Sequence, residues 1–228
     1  MEKDVLLRYA RLRSGRADAI ISRITEGKSV ACGKGCAYCC YGVTLWLRKI
    51  EVFFLAHSLN RRKPRDRAYF AGKLRRYGNI YERESERVGY RPKSPVKEED
   101  LDTEKLGIIG GLAMNEVPCP FLSEERTCEV YGERPIMCRL TLFSDREVCR
   151  KDWENPLAFL WRNEIYPFIE DIKVRFLPVF RREMEKIRVD LGVPESWEKD
   201  IVFITDWLRF DPVKKVFYIR EDGKRLVP

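Results

Sequence analysis

Four of the chain's eight cysteines fall within the stretch "ACGKGCAYCC" at residues 31–40, as Cys32, Cys36, Cys39 and Cys40. Thiols set so close together constrain a fold more than a hydrophobic pattern does. They must be bridged, bound to metal, used in catalysis, or kept protonated and buried. The other four, Cys119, Cys128, Cys138 and Cys149, have eight, nine and ten residues between successive members. That is too wide for a zinc ribbon by itself, but a hairpin followed by a turn would bring each thiol back to one place.

Disulfides are not needed as the main staple, because 228 residues can bury an ordinary hydrophobic core. The N-terminal "MEKDVLLRYARLRSGR" is charged throughout, and the longest apolar runs, such as "VFFLA" at 52–56, are far too short to span a membrane. The expectation is a soluble, cytoplasmic protein with no membrane partner, and in a reducing compartment clustered thiols point to metal. The charged fraction of 35% exceeds the usual value of about 25% and is rich in Lys, Arg and Glu. That bias also occurs in hyperthermophiles, whose intracellular proteins can carry disulfides, so bridges stay among the alternatives.

Residues 4–27 repeat apolar positions at helical spacing and stop at Gly27. Residues 44–60 read as a second helix with Thr44 as its cap, and Pro64 starts a third, whose stripe of Phe70, Leu74, Tyr77 and Tyr81 suits core contact. "RPKSPVKEED", 91–100, reads as a surface linker. Around the distal cysteines, "PFL", a polar "SEER" turn and "TCEVY" form a short hairpin, and "ERPIMCRL" a single helical turn. Residues 154–192 are strongly helical, kinked where Pro156, Pro167 and Pro178 recur, and the C-terminus reads as a hairpin around "EDG". The predicted class is mainly α with small β hairpins (α+β), a helical domain organised around a cysteine-ligated metal site. Residues 1–228 read as one cysteine-cluster domain. Its metal-binding segments, 32–40 and 119–149, are joined by a helical insert, and 154–228 form a helical C-terminal part with a terminal hairpin.

Cys36 and Cys39 have the C-x2-C spacing that lets two thiolates grip one ion from a tight turn. Cys39 and Cys40 are adjacent, and in an extended backbone neighbouring side chains diverge. The pair therefore points to two sites sharing a wall or to a polynuclear cluster. Eight thiols suit two four-thiolate sites, of zinc or of 4Fe–4S type, or one site with spare thiols. Lys34, Arg134, Arg139, Arg146 and Arg150 lie within a few positions of cysteines, where they can offset thiolate charge. A lone nucleophilic thiol would want a histidine base, and the one histidine, His57, sits mid-helix.

The order C-x3-C-x2-C-C, then "CPFL" and "C-x-x-Y-x-x-RP-x-x-CR", resembles the YkgJ-type cysteine-cluster family, described as a zinc- or iron-chelating domain with eight cysteines. The resemblance implies metal ligation by Cys32, Cys36, Cys39, Cys40, Cys119, Cys128, Cys138 and Cys149. Arg134, Pro135 and Arg139 match its RP and CR positions. We assign them to shaping the cofactor site and balancing its charge, the two arginines as cofactor-binding residues. The same domain occurs in flagellin lysine N-methylases, described as using S-adenosylmethionine and an iron–sulfur cluster. Here no Gly-rich strand-to-helix loop marks a pocket for that methyl donor.

Three rival readings remain. The spacing of Cys32, Cys36 and Cys39, with Tyr38 before the last, resembles the radical S-adenosylmethionine motif, which belongs to a partial barrel of alternating strands and helices. "RRKPRDR" and "KLRRY" set basic residues beside Tyr69, Phe70 and Tyr77, which suits nucleic-acid stacking and the net charge of +8. Fully coordinated structural zinc would need no substrate pocket. No general acid or base stands out. Whether the chain is an enzyme, and which protein or small molecule it meets, is not written in these residues.

Overall fold

A computed structural model describes residues 2–27, 30, 36–41, 43–113, 118–140, 175–221 and 224–228. Helix α1, Lys3–Thr25, faces the core with Leu6, Tyr9, Ala10 and Ala17 at helical spacing, and Arg13 takes the next position of the same stripe. The chain turns away at Gly27, whose φ of 70° is the left-handed conformation that glycine adopts without a Cβ penalty.

The second helical segment departs from the expected 44–60. Trp46–Arg48 forms strand β1, and helix α2, Lys49–Asn60, begins only after it. Thr44 caps nothing at that start. The Glu51 carboxylate instead accepts the Arg48 N–H at 3.0 Å. Helix α2 is apolar almost all round, and Ile50, Val52, Phe53, Leu55, Ala56 and Leu59 are each at most 1% exposed, so it runs through the middle of the core. Helix α3, Pro64–Val88, carries Pro at its first turn, as the sequence predicts, and buries Phe70, Leu74, Tyr77 and Tyr81. Helix α4, Thr103–Ala113, lies against α3.

Beyond the cysteine region, α5 (Ile136–Leu140), α6 (Leu177–Asp190) and α7 (Glu195–Lys199) lead to β2, Ile201–Phe203. Strand β2 pairs antiparallel with β1 in the register Trp46–Phe203, Leu47–Val202 and Arg48–Ile201. The 91–100 segment is anchored, because Val96 exchanges both backbone hydrogen bonds with Ile201 at 2.8 Å. Phe203 stacks on Tyr81 at 3.9 Å between ring centroids, and the Trp46 indole donates to the Tyr81 hydroxyl at 2.7 Å, which ties this small sheet to α3. Helix α8, Ile204–Trp207, approaches α3 at Gly78, where a Cβ would meet the Thr205 side chain at 3.1 Å.

The second sheet has the order β3 (Leu208–Asp211), β4 (Val216–Glu221), β5 (Lys224–Leu226), all antiparallel. Its Leu208, Phe217 and Ile219 are buried and β4 packs on α2. The expected terminal hairpin is β4–β5, and the β3–β4 pairing extends it. The buried apolar side chains from Leu6 to Ile219 form one cluster, and the fold is mostly helical with small antiparallel sheets. The expected kinks at Pro156 and Pro167 lie outside the described residues, whereas Pro178 sits in the first turn of α6. No helix among the described residues is long and apolar enough to cross a membrane.

Candidate metal centre

The first cysteine segment enters as a single 3-10 turn, Tyr38–Cys40, closed by Cys40 N–H to Ala37 O at 2.9 Å and Tyr41 N–H to Tyr38 O at 3.1 Å. The turn changes what the adjacent pair can do. In an extended chain the two side chains diverge, but in this turn the Cys40 thiol lies near enough to Cys39 to help raise its pKa. The segment is stitched directly to the second one: the Cys119 N–H donates to the Cys40 carbonyl at 2.6 Å, and Tyr41 bridges to Pro118.

Cys119 is buried, and its carbonyl accepts the Leu122 N–H at 3.0 Å. The predicted hairpin follows. Leu122 bridges to Cys128, Glu129 N–H donates to Phe121 O and Ser123 N–H to Thr127 O, both at 2.8 Å, and Arg126 takes a positive φ in the turn. Helix α3 clamps this hairpin, with Lys73 donating to the Leu122 carbonyl and forming an ion pair with Glu129 at 3.6 Å. A 3-10 turn, Tyr131–Glu133, then passes through Arg134 and Pro135 into α5, which carries Cys138.

The thiols of Cys39, Cys119, Cys128 and Cys138 therefore share one neighbourhood, drawn from both segments. The neighbouring Cys40 thiol, together with burial, holds Cys39 well above the ordinary thiol range. Burial and the neighbouring Cys138 push Cys119 upward, burial raises Cys128, and burial with Cys39 and Cys128 takes Cys138 to about 12. The Tyr77 hydroxyl, fixed between Leu45 N–H at 2.8 Å and Val43 O at 2.7 Å, lies close enough for Cys119 and Cys138 to add to the upward shift that its burial causes.

None of the six described cysteines forms a disulfide. Among the described residues no three of His, Cys, Asp and Glu stand at ligand spacing. Cys36 is partly buried beside the Tyr38–Cys40 turn, whereas Cys32, Cys149, Lys34, Arg146 and Arg150 lie outside the described residues.

Arg134 faces this group. Its charge favours the thiolates of Cys39, Cys128 and Cys138, its guanidinium lies 4.1 Å over the Tyr131 ring, and its buried Nε has no hydrogen-bond partner among the described residues. Such an orphaned donor beside neutral thiols fits a site that becomes negative when thiolates bind a soft metal. Arg139 is engaged elsewhere. Its guanidinium binds Asp18, the Ser14 hydroxyl at 2.6 Å, Gly132 O at 2.6 Å and Arg134 O at 2.9 Å, which fastens the turn to α1.

His57 is partly buried on α2. Partial burial and the cations Lys3, Arg11 and Arg61 lower its pKa, so it stays neutral at physiological pH. Of the aromatics that suit nucleic-acid stacking, Phe70 and Tyr77 are core side chains and Tyr69 is exposed, with Lys73 over its ring at 5.0 Å. The strands described are all antiparallel, unlike the partial barrel that the radical-enzyme motif requires. Sequence reasoning missed Glu51, a buried acid in the first turn of α2. The signal was there in a lone carboxylate inside the apolar run "KIEVFFLA".

No curated protein and no solved structure matches this chain. The model of one family, the "CxxCxxCC: Putative zinc- or iron-chelating domain", matches residues 31–165, which take in both cysteine segments and the RP and CR positions. The match spans more than half of the chain, and the protein belongs to this family of zinc- or iron-chelating domains.

Proposed function

We propose that the chain holds a metal centre on thiolates from both cysteine segments, of iron–sulfur type, and uses it in redox or group-transfer chemistry on a protein or small molecule. The observation that carries this reading is the joining of the two cysteine segments by the Cys119 N–H to the Cys40 carbonyl at 2.6 Å, with Cys39, Cys119, Cys128 and Cys138 near enough to shift one another and the buried Nε of Arg134 unpaired among the described residues. Thiolate ligands suit both zinc and iron–sulfur centres. Eight cysteines, two of them adjacent in one tight turn, suit a polynuclear centre or two coupled ones. When bound, the cluster would supply electron transfer or a Lewis-acidic iron. The chain's own part is to bring the thiols together, shield them on the α3 side, and set a positive charge near them.

Structural zinc is the second reading, favoured by how firmly the segments are sewn into the fold through the Cys119–Cys40 backbone bond and the Lys73 clamp. Single substitution of Cys39 or Cys138 by serine tests the shared centre. Each variant is expected to lose bound metal, measured per folded chain. Full metal content in either one removes that residue as a required ligand.

A further inference from the structure

Glu51 is buried in the apolar run of α2, with 7% of its side chain exposed. Its Oε1 accepts two hydrogen bonds, from Arg13 Nη1 on α1 at 2.9 Å and from the backbone N–H of Ile136 at 2.8 Å. Its Oε2 accepts the Arg48 N–H at 3.0 Å. A buried carboxylate is costly unless such donors surround it, so this one joins whatever supplies them. The donors come from α1, from the start of α2, and from the turn that carries Cys138 two residues later. The turn has little else of its own, because α5 has five residues and its N–H at Ile136 would otherwise be left to solvent or unpaired. Arg139 fixes the other side of the same turn to α1 through Asp18 and Ser14. Arg13 continues from Glu51 to Glu198 on α7, at 2.9 Å, and the Tyr9 hydroxyl also donates to Glu198 at 3.0 Å.

We propose that Glu51 is a positioning residue of the thiol centre: it sets the Cys138 turn against α1 and α2, so metal affinity depends on a carboxylate that itself binds no metal. This inference rests on the metal-binding reading above. The competing role for Glu51 is simply to neutralise Arg13 in the core, and Glu198 separates the two. Glu198 shares the Arg13 network and touches no residue of the cysteine turn through a described hydrogen bond.

The experiment is a cobalt(II) titration of the metal-depleted full chain. It is read by thiolate-to-cobalt charge-transfer absorption, with helical circular dichroism as the check on folding. Glu51→Gln is expected to weaken cobalt binding about tenfold or more, as losses of outer-shell partners do, and to change the charge-transfer band, while Glu198→Gln keeps the parent affinity. If Glu51→Gln does not fold, Glu51→Asp carries the same expectation, because it keeps the charge for Arg13 and withdraws it from Ile136 by one methylene. Parent-like affinity in the Glu51 variant, or an equal loss in Glu198→Gln, overturns the proposal. Failure of the unsubstituted chain to bind cobalt, together with no metal on the anaerobically purified chain, overturns the metal-binding reading itself.

Discussion

Arg134 and Arg139 come from one short motif, "ERPIMCRL", yet their surroundings differ. The Arg139 guanidinium is saturated by Asp18, Ser14 and two carbonyls, whereas Arg134 keeps a buried donor without a partner among the described residues and lies beside three thiols. Their replacements should therefore fail differently. Arg134→Met is expected to lower metal affinity by about tenfold while folding stability changes little. Arg139→Met should instead cost about 2–3 kcal/mol of stability in a denaturant titration, through its lost charge-assisted hydrogen bonds. At this scale the family's cysteine pattern was legible in the sequence, because its spacing leaves a local trace. Glu51 showed only as a lone carboxylate in an apolar run, and its contact with Ile136, 85 residues away, left no local trace.

Among the elements, the helices could be read because each leaves its own record: the stripe of Phe70, Leu74, Tyr77 and Tyr81, the proline that opens α3, the glycine that follows α1. Strands β1 and β2 are three residues each and are defined only by pairing with one another across the chain, so "TLWLRK" was absorbed into the helix that follows it. The C-terminal hairpin was legible from its "EDG" turn, and its partner β3 was not, because the β3–β4 turn is organised by a side chain. The Asp211 carboxylate accepts Val213 N–H at 2.9 Å, Lys214 N–H at 3.0 Å and Arg225 Nη2 at 2.6 Å. The Lys214 N–H and Arg225 bonds hold its pKa at about 2, below the ordinary 3.8. A depressed carboxyl stabilises above its unfolded pKa, so the turn should keep this contribution above about pH 4 and lose it as pH falls through about 2. The Val213 and Lys214 amide shifts are expected to titrate near pH 2 in the parent and not at all in Asp211→Asn. A midpoint near 3.8 would show that the carboxylate does not hold the turn.

Across the whole molecule, helix α2 is the common support. Its apolar faces form the middle of the core, Glu51 reaches the Cys138 turn, and Lys49 binds Asp200 at 3.1 Å and Glu221 at 3.3 Å. The cysteine segments are thus tied to the rest of the fold from several sides, and bound metal should stabilise more than the site. A ligand at a hundredfold excess over its Kd adds about 2.7 kcal/mol, so removing metal with a chelator is expected to lower the thermal midpoint by roughly 5–10 °C. Cys39→Ser and Cys138→Ser chains should show no such chelator response. The measurement that tests the account most directly is the metal and acid-labile sulfide content per chain after strictly anaerobic purification, read beside the visible spectrum. The account predicts bound iron with equivalent sulfide and a broad brown absorbance. Stoichiometric zinc without sulfide would contradict the iron–sulfur assignment while keeping the thiolate centre, and a metal-free chain with all eight thiols free would contradict the centre itself.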